Sequence, residues 1–132
     1  MMRVLYVEDD AGSRDVLRMV ARLHADALAV TIFDDSTDFE ARLLALPDMP
    51  HLILLDIHMQ PYTGFEMLEM IKAHDAYATT PVVALTASVM TKEVQMLRKV
   101  GFHSMLSKPI DMDQFFGQLQ RIRKGDTIWY IG

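Results

Sequence analysis

The chain has 132 residues, 51% of them hydrophobic, which suits one globular domain with a continuous core. Its formal net charge of −5 argues against a basic nucleic-acid-binding face, and the lack of cysteine excludes disulfides, thiolate metal sites and thiol catalysis. Apolar runs fall far short of the ~18 residues of a membrane span and the N-terminus lacks a secretory pattern, so no membrane partner and a cytoplasmic location are expected. The eleven methionines read mainly as flexible core filler, with some left over for an adaptable contact surface.

Strand-like and helix-like segments alternate along the chain. Strands are predicted over 3–7, 27–33, 52–55, 82–85 and 104–106, and runs such as LILL and VVAL suit parallel strands buried on both faces. Residues 13–24 place Val16, Met19, Val20 and Leu23 at helical spacing. Residues 111–123 do the same with Met112, Phe115, Phe116 and Leu119, and Asp111 is placed to cap that helix. Further helices are predicted over 36–46, 64–74 and 90–100, the last stopped by Gly101. Five strand–helix units imply a parallel sheet with helices on both faces. In such sheets the binding sites lie beyond the carboxyl ends of the strands.

Those ends carry a coherent set of groups. The first strand runs into Glu8, Asp9 and Asp10, the third into Asp56, the fourth into Thr86 and Ala87, and the fifth into Ser107, Lys108 and Pro109. Singly, each has an ordinary reading as a helix cap, a turn or a solvated acid. Together they are an acid pair, an acid, a hydroxyl and a lysine. If the first and third strands are neighbours, Glu8, Asp9 and Asp56 share a cleft, and mutual repulsion demands protons or a cation. Hard oxygen donors favour Mg²⁺ or Mn²⁺. Lys108 and Thr86 then suit the oxygens of a phosphoryl group, and an Asp can itself accept that group as an aspartyl phosphate.

At this point the motifs VLYVEDD, LLDIHMQPYTG, VVALTA and LSKPI resemble the receiver domain of two-component response regulators, chemotaxis receivers included, over essentially the whole chain. The resemblance implies an α/β, flavodoxin-like fold: a doubly wound five-stranded parallel sheet of order 2-1-3-4-5. It implies that Asp56 is the phosphoacceptor and that the metal is Mg²⁺ or Mn²⁺. Asp9, Asp56 and the His58 carbonyl would bind it directly, and Glu8 through water. Thr86, the Ala87 N–H and Lys108 would hold the phosphoryl oxygens, and the Lys108–Pro109 bond would be cis. Gln60 and Pro61 depart from the family, which commonly has Pro at the first of these positions, while Gly64 keeps its spacing. Met105 stands where the family usually has an aromatic switch residue, and His58 and Ser88 occupy variable positions flanking the phosphoryl group.

The receiver is expected over 1–124. Residues 125–132, GDTIWYIG, form a tail too short for an effector, read as a core anchor, an added edge strand or a partner surface. The chain is therefore expected to be a stand-alone receiver phosphorylated by a histidine kinase or phosphotransfer protein. It would act on a downstream protein rather than on nucleic acid, with self-catalysed phosphotransfer and autodephosphorylation. Its output surface would combine the fourth helix, fifth strand and fifth helix, where Met90, Met96, Met105, Arg121, Arg123 and Lys124 fall, and a homodimer through this face is a further expectation. Three rival readings are weaker. A haloacid-dehalogenase-type phosphatase would carry its nucleophile on the first strand with a second Asp two residues on, whereas His58 follows Asp56 by two. A phosphorylation-independent receiver would lack the acceptor or the lysine, and a flavin binder would need a Ser/Thr/Gly-rich first loop.

Overall fold

The computed structural model describes residues 1–129. Its elements are β1 (Met2–Val7), α1 (Ala11–Leu23), β2 (Leu28–Phe33), α2 (Phe39–Leu44), β3 (Leu52–Asp56), α3 (Gly64–Lys72), β4 (Val82–Thr86), α4 (Thr91–Val100), β5 (Ser104–Ser107) and α5 (Phe115–Arg123), with a 3-10 turn at Asp75–Tyr77. The strands form one five-stranded parallel sheet in the order β2-β1-β3-β4-β5. Among the described residues no helix is long and apolar enough to cross a membrane.

Period-two alternation divides each central strand between two cores. Leu5, Val7, Ile53, Leu55 and Ala84 pack against Phe39, Leu43, Met67, Ile71, Val94 and Leu97 from α2, α3 and α4. Val4, Tyr6, Leu52, Leu54, Val83 and Leu85 pack against Leu17, Val20, Phe115, Leu119 and Ile122 from α1 and α5. Burial on both faces is why these strands read as continuous apolar runs.

Two local expectations are corrected. In α1 the buried stripe is Leu17 and Val20, while Leu23 is 68% exposed and Met19 also faces solvent. Two overlapping helical stripes fit the same sequence, and contact with α5 selects one of them: His24 stacks on Phe116 at 4.0 Å between ring centroids. At the start of α5 the residue before the helix is Gln114, without a side-chain cap bond. Asp111 instead shapes the preceding turn, accepting the Asp113 N–H on its carboxylate and the Phe115 N–H on its carbonyl. The α4 stop is where the sequence puts it, at Gly101 (φ 104°).

α5 ends in a left-handed Gly125 (φ 113°), closed by bonds from Gly125 N–H to Ile122 O and from Asp126 N–H to Arg121 O. A side chain would strain that φ, so glycine is what lets the chain reverse there. The reversed segment runs beside β5, where Trp129 forms a parallel bridge with Met105. The rest of the apolar tail named in the sequence, Tyr130 and Ile131, lies outside the described residues.

Candidate functional site

Sheet register assembles the acidic end. Val7 pairs with Leu55, so Glu8 and Asp56 leave adjacent strands at the same level and on the same side as Tyr6 and Leu54. Thr86 pairs with Ser107 one strand further on, which brings Lys108 to the same edge, its N–H donating to the Thr86 carbonyl at 2.9 Å. One carboxylate oxygen from each of Glu8, Asp9 and Asp56 falls within 4.8 Å of the others. Glu8 is fully buried and Asp56 is 5% exposed, whereas Asp9 is exposed.

One cation serves the two buried acids. Lys108 Nζ lies 2.5 Å from Glu8 Oε1 and 3.4 Å from Asp56 Oδ1. Burial works to raise the pKa of Glu8, but hydrogen bonding with Asp56, Lys108 and Tyr6 holds it below the usual carboxylate range. Asp56 is pushed up to about 7, first by burial and then by the hydrogen bond and charge of Glu8, against the pull of Lys108. Burial opposes the charge on Lys108, yet the two carboxylates keep its pKa raised. Two buried carboxylates sharing one ammonium carry surplus negative charge, so the pair splits, with Asp56 raised and Glu8 lowered. Three carboxylates and no nitrogen or sulfur donor fit a hard divalent ion such as Mg²⁺ or Mn²⁺.

Around this centre the other sequence-predicted residues take distinct positions. The Thr86 hydroxyl accepts the Ser88 N–H at 3.1 Å, with the exposed Ala87 between them. The His58 N–H donates to Asp56 Oδ1 at 3.3 Å, while its imidazole is exposed and 3.2 Å from Glu93 on α4. Asp10 stands apart as the α1 cap, accepting from the Ser13 N–H and hydroxyl at 2.8 and 2.9 Å. The Lys108–Pro109 bond is cis, as the resemblance implies, and so is Gln60–Pro61.

The loop after Asp56 is held by a close approach. The Gly64 N–H donates to Ile57 O at 3.0 Å, and a Cβ at Gly64 would come within 2.9 Å of the Asp56 carbonyl oxygen and the Ile57 Cα. Glycine is therefore required for the start of α3 to seat against the β3 exit. Thr63 and Glu66 close that helix start with a reciprocal capping box.

Sequence reasoning missed Tyr6 and Arg14. The buried Tyr6 hydroxyl donates to Glu8 Oε1 at 2.8 Å, and burial and Glu8 drive its pKa far upward, so it remains a donor. Its position two residues before Glu8, on the same side of the strand, was the available signal. Arg14 donates to the Glu8 carbonyl at 3.1 Å. Met105, expected on the output surface, is fully buried beside the C-terminal segment, while Met90 at the cap of α4 and Met96 on α4 are exposed.

A parallel sheet of this order with acids and a lysine at its carboxyl edge defines a receiver-type α/β domain. Residues 4–120 match the family model described as response regulator receiver domain, and the chain belongs to that family. The polar-differentiation response regulator DivK of Brucella ovis is 34% identical over 112 residues, 85% of this chain and 88% of that protein. Among solved structures, the chemotaxis response regulator CheY4 of Vibrio cholerae superposes with TM-score 0.80 at 25% identity, covering 92% of this chain and 98% of that one. The Mn²⁺-bound form of response regulator Rcp1 superposes with TM-score 0.75 at 25% identity, covering 95% and 94%.

Proposed function

We propose that Asp56 is the phosphoacceptor of this receiver and that the donor is a phosphohistidine on a histidine kinase or phosphotransfer protein. The observation that carries the reading is the sharing of one ammonium, Lys108, by the buried carboxylates of Glu8 and Asp56. A structural ion pair needs one acid; the second leaves surplus negative charge at an open strand edge.

In this reading an Asp56 carboxylate oxygen attacks phosphorus, an O–P bond forms, the P–N bond breaks, and the imidazole leaves with a proton. Asp9, Asp56 and the His58 carbonyl would hold a Mg²⁺ or Mn²⁺ ion, with Glu8 acting through water. When bound, that ion neutralises the charge on the attacking and transferring oxygens. Lys108 pairs with one phosphoryl oxygen. The Thr86 hydroxyl, whose oxygen accepts the Ser88 N–H, donates its O–H to another, and the Ala87 N–H is a further donor. His58 and Ser88 flank the group and set how readily water reaches it, which governs autodephosphorylation.

Phosphorylation biases an existing equilibrium of the α4–β5–α5 surface, and a downstream protein that prefers one state completes the switch. The setting is cytoplasmic, as a kinase-fed phosphoacceptor requires. The test is incubation with Mg²⁺ and acetyl phosphate followed by intact mass. Wild type gains one phosphoryl group and Asp56→Asn gains none; equal labelling of the two overturns the assignment.

A further inference from the structure

β5 is the edge strand of the sheet, and an edge offers backbone groups to any extended segment that can reach it. Here the chain reaches it first. After the Gly125 turn, Met105 N–H donates to Ile128 O at 2.8 Å, and Ile128 N–H donates to the hydroxyl of the buried Ser104 at 3.0 Å. Ile128 packs against the α1/α5 core and Trp129 against the opposite core, the alternation of a strand added to the sheet. The Trp129 ring lies 4.9 Å beneath the Arg98 guanidinium of α4, and Arg121 of α5 holds Asp126 at 3.4 Å. Residues 126–129 therefore touch β5, α4 and α5 together.

We propose that this segment is a displaceable strand that occupies the output surface in the resting chain and is released by phosphorylation, so that a partner gains β5 and the α4 face only after the chain's own tail has left. The proposal rests on the phosphoacceptor reading above. Two features make the segment displaceable rather than a permanent strand. Among the described residues it meets β5 through one bridge, and both Ile128 and Trp129 are only half-buried. It is also close to the chemistry: Met105 lies three residues before Lys108, whose ammonium must turn from Glu8 to reach a phosphoryl oxygen and whose backbone continues directly from β5. A shift of Lys108 is thus passed along the strand to which the segment is bonded.

Trp129 is the only tryptophan in the chain, so its fluorescence reads the contact directly. Acrylamide quenching of the full chain should rise at least twofold in Arg98→Ala, an exposed position outside the phosphoacceptor site, with the circular dichroism unchanged. Unaltered quenching there overturns the docked resting state. Acetyl phosphate with Mg²⁺ should produce a similar rise in wild type and none in Asp56→Asn. If intact mass shows the phosphoryl group gained while quenching stays constant, release by phosphorylation is overturned and the phosphoacceptor reading stands. If no phosphoryl group is gained, both the phosphoacceptor reading and release by phosphorylation fail, and only the resting contact, read from Arg98→Ala, survives.

Discussion

Lys108 sits closer to Glu8 than to Asp56, at 2.5 Å against 3.4 Å, so the half-buried cation of the site is spent chiefly on the residue that is not the proposed nucleophile. Glu8 is fully buried, and removing its cation leaves an uncompensated charge. Lys108→Met should therefore destabilise the metal-free protein by roughly 2–4 kcal/mol. Glu8→Gln should recover part of that loss in the double variant, because an amide tolerates the dry site without a counter-charge. Urea denaturation of the four proteins gives the coupling energy; a value near zero rules out a direct pair.

Asp56 is held in a strained electrostatic position, its carboxyl raised to about 7 by burial and by Glu8. A carboxyl whose folded pKa exceeds its unfolded value near 3.9 contributes most when protonated, and its contribution falls as pH rises from about 4 through 7. In EDTA, Asp56→Asn should be more stable than wild type by about 1–3 kcal/mol at pH 8, with a smaller gap at pH 5. Mg²⁺ should raise the wild-type Tm and move the variant less. A variant less stable than wild type at pH 8 contradicts this account.

The strand ends were legible in the sequence because each functional side chain follows an apolar run that can only be a buried strand, as Asp56 follows LILL. What the linear order conceals is lateral. The spacing of Tyr6 and Glu8 puts both on one side of the chain at β1, but nothing in the linear order says that Lys108, beyond β5, meets the same Glu8 or that Ser88 donates to the Thr86 hydroxyl; those follow from register and loop path. The α1 stripe was ambiguous because two helical faces fit one pattern, and packing of His24 on Phe116 chose between them. Met105 looked like a surface residue because the segment covering it lies more than twenty residues later, beyond a reversal set by Gly125.

Gly64 provides a steric test of the same loop. Its absent Cβ faces backbone atoms of Asp56 and Ile57 at 2.9 Å, which cannot give way as a flexible side chain can. Gly64→Ala should destabilise the fold by about 1–3 kcal/mol. It should also slow labelling by acetyl phosphate more than the fraction unfolded explains, since the displaced atoms carry the proposed acceptor. A stable variant with the wild-type labelling rate shows that the loop can relax around the methyl group.

At the opposite end of the sheet, His51 Nδ1 accepts the Arg3 N–H at 2.9 Å and must be unprotonated to do so. Burial, and then the charges of Arg123 and Arg3, lower its pKa; burial does the same to His103. A histidine with a depressed folded pKa binds its proton more readily when unfolded. Its stabilisation is therefore complete above the unfolded value near 6.5 and is lost as pH falls through it, by at most about 1.4 kcal/mol per pH unit. Asp56 works in the opposite direction over this range, so the measurement belongs in the Asp56→Asn background. There, urea stability should fall between pH 7 and 5. His51→Asn, whose amide oxygen can still accept from Arg3, should flatten the slope and leave the part due to His103. An unchanged slope would mean that His51 titrates alike folded and unfolded, and that the Arg3 bond does not constrain its proton.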